Sequence, residues 1–325
     1  MANHLPQHIQ PGYRERVPDP LAVWWRRQSS WPSLSVADLV VRKGRSTVSV
    51  VIPALNEERT VAGVVAPLVE ELVTAGLVDE VLVVDGGSTD RTAARAEQAG
   101  ATVLHLPGAE HDPRLTGKGG ALWWAQQQAR GDLLVFLDAD VQPSRSATVA
   151  ALLTPLLVAP EVAFVKAAFD RPLTVDGVLY QGSGGRVTEL LARPVLSAWW
   201  PLLTGFVQPL SGELAVRRDL LSQLGFATGY ALEIAMLIDV LELVGLEAMA
   251  QVDIGRREHR HQSDARLGQM SAEVLAAALD RRGQGAAGQR LLQYARSDDG
   301  FTVQATEIRV AMLPSVDALN QKKVS

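Results

Sequence analysis

The 325-residue chain is long enough for one large domain or two fused lobes. Its net charge of −5 leaves no basic footprint for nucleic acid, so an anionic substrate would need a local basic pocket. With no cysteine, disulfides and thiolate metal sites are excluded, and a metal would have to be held by Asp, Glu or His.

The first 45 residues carry Pro18, Pro20 and Pro32 and read as an irregular arm, with Trp24, Trp25 and Trp31 packing it on the body. Regular alternation then begins. Thr47–Pro53 is β-branched and predicts a strand; Glu57–Ala75 has helical apolar spacing. Glu80–Asp85 predicts a second strand, Thr89–Ala99 a helix stopped by Gly100, and Ala101–Leu106 a third strand. Lys118–Ala129 follows as a helix before Gly131, Asp132–Leu137 as a strand, Ser144–Leu157 as a helix and Val162–Ala168 as a strand. Further on, Val187–Leu196, Leu232–Val244 and Leu267–Ala278 predict helices and Ala248–Ile254 a strand. The longest uncharged run, Pro194–Gly212, approaches the length of a membrane span. Pro194, Pro201, Gly205, Gln208 and Pro209 within it predict two short buried pieces joined by a turn. No secretory apolar core opens the chain, and a cytoplasmic enzyme that binds no membrane is expected.

Strands alternating with helices at short spacing predict a parallel sheet covered on both faces. Ligands of such sheets bind beyond the carboxyl ends of the strands, so the residues after each strand are the candidates. Asp138-Ala139-Asp140 follows a buried strand, and two carboxylates two residues apart suit a hard cation that also holds phosphates. The alternative is a pair of acidic turn residues. Pro53 to Leu55 can embrace a flat base and Glu57 can hydrogen-bond base or ribose; alternatively, Asn56 caps a helix with acidic residues in its first turn. Asp85-Gly86-Gly87-Ser88-Thr89-Asp90 allows close backbone approach to a ligand, or is a tight capped turn. Lys118 beside Gly117, Gly119 and Gly120 at a helix start suits a diphosphate, without Walker A spacing. Gln181–Thr188 offers free N–H groups with Arg186 and Thr188 as an anion site, or is a flexible linker. Glu233 and the Arg256–His261 cluster complete the set, since a late His could supply the metal ligand that the carboxylate pair lacks.

In this order the motifs resemble a GT-A glycosyltransferase, and more narrowly the retaining family of glucosyl-3-phosphoglycerate and mannosyl-3-phosphoglycerate synthases. The resemblance runs from about Trp24 to Gln269 and is carried most specifically by Gly184–Leu190 and Gln208–Glu213, with Gly229–Ile234 and the His259 segment. It implies an α/β fold with a Rossmann-like, mostly parallel sheet and a mixed α+β acceptor-binding half. The corresponding division is an arm (1–45), a nucleotide-sugar half (46–160), an acceptor- and metal-completing half (161–290) and a tail (291–325). Carried over, Pro53, Ala54, Leu55, Glu57, Asp85 and Gly86 hold the nucleotide, and Lys118 lies near the diphosphate. Asp138 and Ala139 lie near ribose and sugar, Glu233 contacts the transferred sugar, and Gly185, Arg186 and Thr188 hold the phosphate of 3-phosphoglycerate. Asp140 and His259 bind Mg2+ or Mn2+. Asp140, Glu233, Leu210 and Lys118 are the catalytic candidates, and a homodimer is implied.

The expected reaction is retaining transfer of mannose or glucose from GDP-mannose, GDP-glucose or UDP-glucose to the 2-hydroxyl of 3-phosphoglycerate. Ala139 stands where Ser is common, and His261 follows Arg260 where relatives carry Asn; both blur the choice of hexose. Asn occurs only at positions 3, 56 and 320. That sparsity suits a warm-growing source and leans toward the mannosyl product, although a GC-rich genome explains it equally. The rival readings are a polyprenyl-phosphate glycosyltransferase, a sugar-1-phosphate nucleotidyltransferase, and a non-catalytic nucleotide-sugar sensor.

Overall fold

A computed structural model describes residues 20–108, 112, 114–115, 117–139, 145–170, 173–175, 178–180, 185–257, 263–285, 289–298 and 300–324. Seven strands share one sheet: β1 (Val48–Ala54), β2 (Glu80–Asp85), β3 (Thr102–His105), β4 (Leu133–Phe136), β5 (Phe164–Asp170), β6 (Leu214–Arg217) and β7 (Met249–Arg256). Their spatial order is β7-β5-β6-β4-β1-β2-β3. Every neighbouring pair is parallel except those made by β6, which runs antiparallel to both β4 and β5. The amino end of β6 therefore lies at the same edge as the carboxyl ends of its neighbours.

Both faces of the sheet are covered, which is why β4 reads as an unbroken hydrophobic run and β1 as one interrupted by Ser49. Val51, Leu134 and Phe136 pack one way, and Val50, Ile52 and Val135 the other. The division at residue 160 falls within this one sheet, since β5, β6 and β7 all come after it.

The arm expected to be irregular contains two helices, α1 (Pro20–Gln28) and α2 (Val36–Lys43). Ser35 and Asp38 form a reciprocal cap at the start of α2, a local signal that the surrounding prolines obscure. Trp24 does fix the arm to the body: it is fully buried, its Nε1 donates to the Met249 carbonyl at 2.8 Å, and its ring lies 4.9 Å from that of Phe206. The helix expected over 57–75 begins only at α3 (Val61–Pro67) and widens into a π-helical stretch, Leu68–Val73. That expected from Thr89 begins at α4 (Thr92–Gln98), because Ser88 to Asp90 bond across to the β1 loop instead.

Four helices carry or face the site: α5 (Gly117–Gln128), α6 (Arg145–Val158), α7 (Arg193–Trp199) and α8 (Leu232–Val244). A long helix, α9 (Asp264–Arg281), follows, then a hairpin of β8 (Gln289–Ser297) and β9 (Gly300–Ile308), then α10 (Val316–Val324). The apolar run at 194–212 resolves into the end of α7, a 3-10 turn at Pro201–Gly205, and the approach to β6. Among the described residues no helix is long and apolar enough to cross a membrane.

Candidate active site

The candidate nucleotide edge is two loops laced together. Ala54 and Asp85 face one another across the parallel β1–β2 ladder, and Gly86 N–H donates to the Ala54 carbonyl at 2.9 Å. Beyond the strands, Ser88 Oγ accepts from Asn56 N–H at 2.9 Å, Thr92 Oγ1 from Glu57 N–H at 2.7 Å, and Asp90 Oδ2 from Glu58 N–H at 3.2 Å. Asn56 does not cap a helix. It sits at φ +56°, and its Oδ1 accepts from Thr89 N–H at 2.9 Å. That left-handed conformation is tolerated by Asn better than by most residues, and it turns the chain so that both loops face the cleft. Pro53, Ala54, Leu55 and Glu57 are thereby held in one frame with Asp85 and Gly86. Leu55 stays 54% exposed, an apolar surface offered beyond the strand ends. Asp85 is buried, accepts from Ser88 N–H at 3.0 Å, and lies 3.5 Å from His105 Nδ1. His105, at the end of β3, is a neighbour that no motif announced.

Three residues separated widely in sequence meet at the centre. Lys118 Nζ lies 2.5 Å from Asp138 Oδ1 and 3.1 Å from Glu233 Oε1. Lys118 comes from the first turn of α5, Asp138 from just beyond β4, and Glu233 from the first turn of α8. Burial disfavours the Lys118 ammonium, but Asp138 and then Glu233 outweigh it and raise its pKa above the ordinary lysine value. Gly212 lies against this pair: a Cβ there would stand 1.8 Å from Lys118 Nζ and 3.0 Å from Asp138 Oδ1. The glycines beside Lys118 have a packing role. A Cβ on Gly119 would meet the Ala227 carbonyl oxygen at 2.3 Å, and one on Gly120 the Leu115 backbone at 2.8 Å. They let α5 approach neighbouring backbone and so place Lys118. Ala139 is buried next to Asp138. Leu210, partly buried against the core, leads into the Ser211-Gly212 turn.

Asp140, His259 and the rival His261 lie outside the described residues, and among the described ones no group of three or more His, Asp or Glu is arranged to hold a metal. The described residues that flank them in sequence, Arg145 and Arg257, meet at one buried carboxylate. Glu213 pairs with Arg145, which also donates to the Asp138 carbonyl at 2.7 Å, and its other oxygen lies 3.6 Å from Arg257 Nε. Arg145 lies five residues after Asp140 in sequence, and Arg257 two before His259. In residue type alone, a carboxylate from Asp140 and an imidazole from His259 would suit a hard divalent cation. Burial, opposed most strongly by Arg145, raises the pKa of Glu213.

The acceptor candidates share a second turn. Gly185 has φ +88°, a Cβ on it would meet Thr188 Oγ1 at 3.0 Å, and Thr188 is buried beneath. Arg186 projects at 39% exposure and pairs with Asp264 at the start of α9. Helix α9 packs against both this 188–192 turn and the 229–231 turn that leads to Glu233, so one rigid element links the acceptor candidates to the sugar candidate.

Three comparisons with known proteins bear on this geometry. Residues 49–182 match the family model for glycosyl transferase family 2. The chain is 42% identical over 301 residues to a glucosyl-3-phosphoglycerate synthase of Mycolicibacterium smegmatis, covering 92% of this chain and 99% of that one. Among solved structures it is similar to the glucosyl-3-phosphoglycerate synthase of Mycobacterium tuberculosis in complex with Mn2+, UDP and phosphoglyceric acid. There the TM-score is 0.79 at 39% identity, covering 90% of this chain and 98% of that one. It is also similar to the mannosyl-3-phosphoglycerate synthase of Rubrobacter xylanophilus, with a TM-score of 0.80 at 36% identity, covering 92% and 98%.

Proposed function

The chain is a glycosyltransferase of the glucosyl-3-phosphoglycerate and mannosyl-3-phosphoglycerate synthase family, and from that premise we propose that it transfers glucose from UDP-glucose to the 2-hydroxyl of 3-phosphoglycerate. The observation that carries the reading is the Lys118–Asp138–Glu233 cluster at the carboxyl edge of the sheet, joined through α9 to Arg186. The lean toward mannose that composition suggested gives way to glucose, because the curated relatives matched over most of this chain are glucosyl-3-phosphoglycerate synthases.

In this reading Ala54, Leu55, Glu57 and Asp85 orient the uridine, and Lys118 turns from its carboxylate partners to the diphosphate. Asp138 and Glu233, released from Lys118, accept hydrogen bonds from the sugar hydroxyls. Gly185 N–H, Arg186 and Thr188 grip the acceptor phosphate and fix its 2-hydroxyl. Asp140 and His259 are the residues that would hold Mg2+ or Mn2+, which neutralises charge on the departing diphosphate when bound. Asp138 and Glu233 are engaged by sugar hydroxyls in this reading rather than poised as nucleophiles, which favours a same-face, internal-return route. The anomeric C–O bond to the diphosphate breaks, the bond to the acceptor oxygen forms on the same face, and the acceptor's proton passes to the diphosphate oxygen. Catalysis then rests on holding two bound anions in register.

A panel of UDP-glucose, GDP-glucose and GDP-mannose with 3-phosphoglycerate, scored by product mass and released nucleotide, tests this. UDP-glucose should give the highest kcat/KM. Turnover confined to GDP-mannose would reassign the sugar, and no turnover with any of the three would favour the sensor reading.

The reading includes a homodimer. Leu292 and Tyr294 on β8 and Phe301 and Val303 on β9 share one face of the hairpin, with Tyr294 opposite Val303 and all four largely exposed. Sedimentation should give a dimer that Tyr294→Lys dissociates; a monomeric wild type would refute it.

A further inference from the structure

Lys166 lies inside β5, 1% exposed, in the interior of the sheet beneath the cleft. Its Nζ donates to the Ser211 carbonyl at 2.6 Å. Ser211 precedes Gly212, the residue whose missing Cβ leaves room for Lys118. Its partners on the flanking strands, Leu214 on β6 and Gln251 on β7, carry no charge. The charges that act on it are Glu233 from α8, Lys118 from α5 and Asp138 from the end of β4. Two carboxylates and two lysines therefore share one site, and the state of each lysine depends on where the other is.

We infer that Lys166 is a positioning residue that takes up a proton as the nucleotide-sugar binds: it holds the Ser211-Gly212 backbone against Lys118, and it becomes the cation facing Glu233 and Asp138 once Lys118 turns to the diphosphate. The inference rests on the donor assignment above. The change is a simple protonation, in which the Nζ lone pair takes a proton from solvent through the cleft, where Lys118 and Asp138 are about a quarter exposed at 28% and 27%. Burial lowers the Lys166 pKa to about 7, Glu233 acting against that and Lys118 adding to it. Moving the Lys118 charge away removes an opposing cation and leaves two carboxylates without their partner, and both changes favour the ammonium.

The sign of the linkage follows. A group whose pKa rises on binding favours binding at low pH, so donor affinity is flat below the free-enzyme value and weakens as pH climbs above it. The probe is UDP-glucose without acceptor, titrated by calorimetry into Mg2+-saturated enzyme, so that metal-linked protons have already been released. Heats measured in buffers of different ionisation enthalpy give the number of protons taken up. Wild type should take up close to one proton at pH 8 and almost none at pH 6, with Kd rising about tenfold per pH unit above neutrality. Lys166→Met should bind with no uptake and a flat pH dependence. A purely packing role for Lys166 would change thermal stability and leave the proton count untouched. If Lys166→Met does not fold, the wild-type count decides alone, and binding without uptake at pH 8 overturns the inference. Failure to bind UDP-glucose at any pH would instead overturn the donor assignment.

Discussion

Arg186 and Asp264 form an ion pair that ties the turn before α7 to the first residue of α9. The guanidinium assigned to the acceptor phosphate is thus held by a carboxylate that is itself 88% exposed, so a phosphate competes for Arg186 with a solvated, easily displaced partner. Arg186→Ala should raise the KM for 3-phosphoglycerate more than tenfold, in line with about 1.5–3 kcal/mol for a charge-assisted contact, and leave the UDP-glucose KM nearly unchanged. Asp264→Asn should lower the acceptor KM. Steady-state kinetics with each substrate varied in turn checks both, and a shift in the donor KM instead would move the 185–188 turn to the donor site.

Gly212→Ala adds one methyl group where Lys118 Nζ now lies. Lys118 is the far end of a flexible chain, but Asp138 and Glu233 hold it, so relief comes only by breaking that pair. The expected result is a fall in kcat/KM for UDP-glucose of about tenfold or more, the usual order for losing one placed electrostatic group. The thermal midpoint should change little, because the site is partly open. Wild-type turnover in this variant would show that Lys118 need not stand where the structure places it.

Asp140→Ala should abolish transfer without unfolding the chain, and EDTA should stop the wild type until Mg2+ or Mn2+ is restored. For the second ligand, metal affinity should fall as pH drops through roughly 6.5, where imidazole gains a proton. His259→Ala should remove that dependence while His261→Ala keeps it. Wild-type metal titrations in both variants would exclude either histidine as a ligand.

Glu213→Ala leaves the Arg145 and Arg257 guanidinium groups buried beside each other without their shared carboxylate. Removing one partner of a buried pair costs about 3–5 kcal/mol, which denaturant unfolding would read directly. The same change loosens the two arginines that flank Asp140 and His259 in sequence, so metal affinity should fall with stability. An unchanged unfolding midpoint would mean that the three charges are solvated rather than mutually supporting.

The strand ends were legible because a parallel sheet advertises itself in short apolar runs, and Asp85 and Asp138 each follow such a run directly. Lys118 was legible from the glycines at its helix start and Glu233 chiefly through motif resemblance, but nothing local shows that two helices bring them together. Lys166 was silent because a charged residue within a strand pattern reads as a solvent-facing position, whereas here both faces of the sheet are covered; Glu213 entered only as the end of the Gln208–Glu213 resemblance, with nothing local to show its two arginine partners. Strand β6 has four residues, too few for a period to register, and the helices of the arm are short and set among prolines. His105 is a single residue whose meaning depends wholly on Asp85 beside it.

Strand β6 lies between β4 and β5, both of which leave the ribosome before it does. Until β6 arrives, β4 and β5 each present an unsatisfied row of backbone groups to solvent or to other nascent chains. A chain halted after β5 therefore holds open edges on β4 and on both sides of β5 and no working cleft, because the turn that carries Ser211 and Gly212 enters with the missing strand. Synthesis past residue 217 is in this sense a commitment point, before which the intermediate is exposed to aggregation and to chaperone capture.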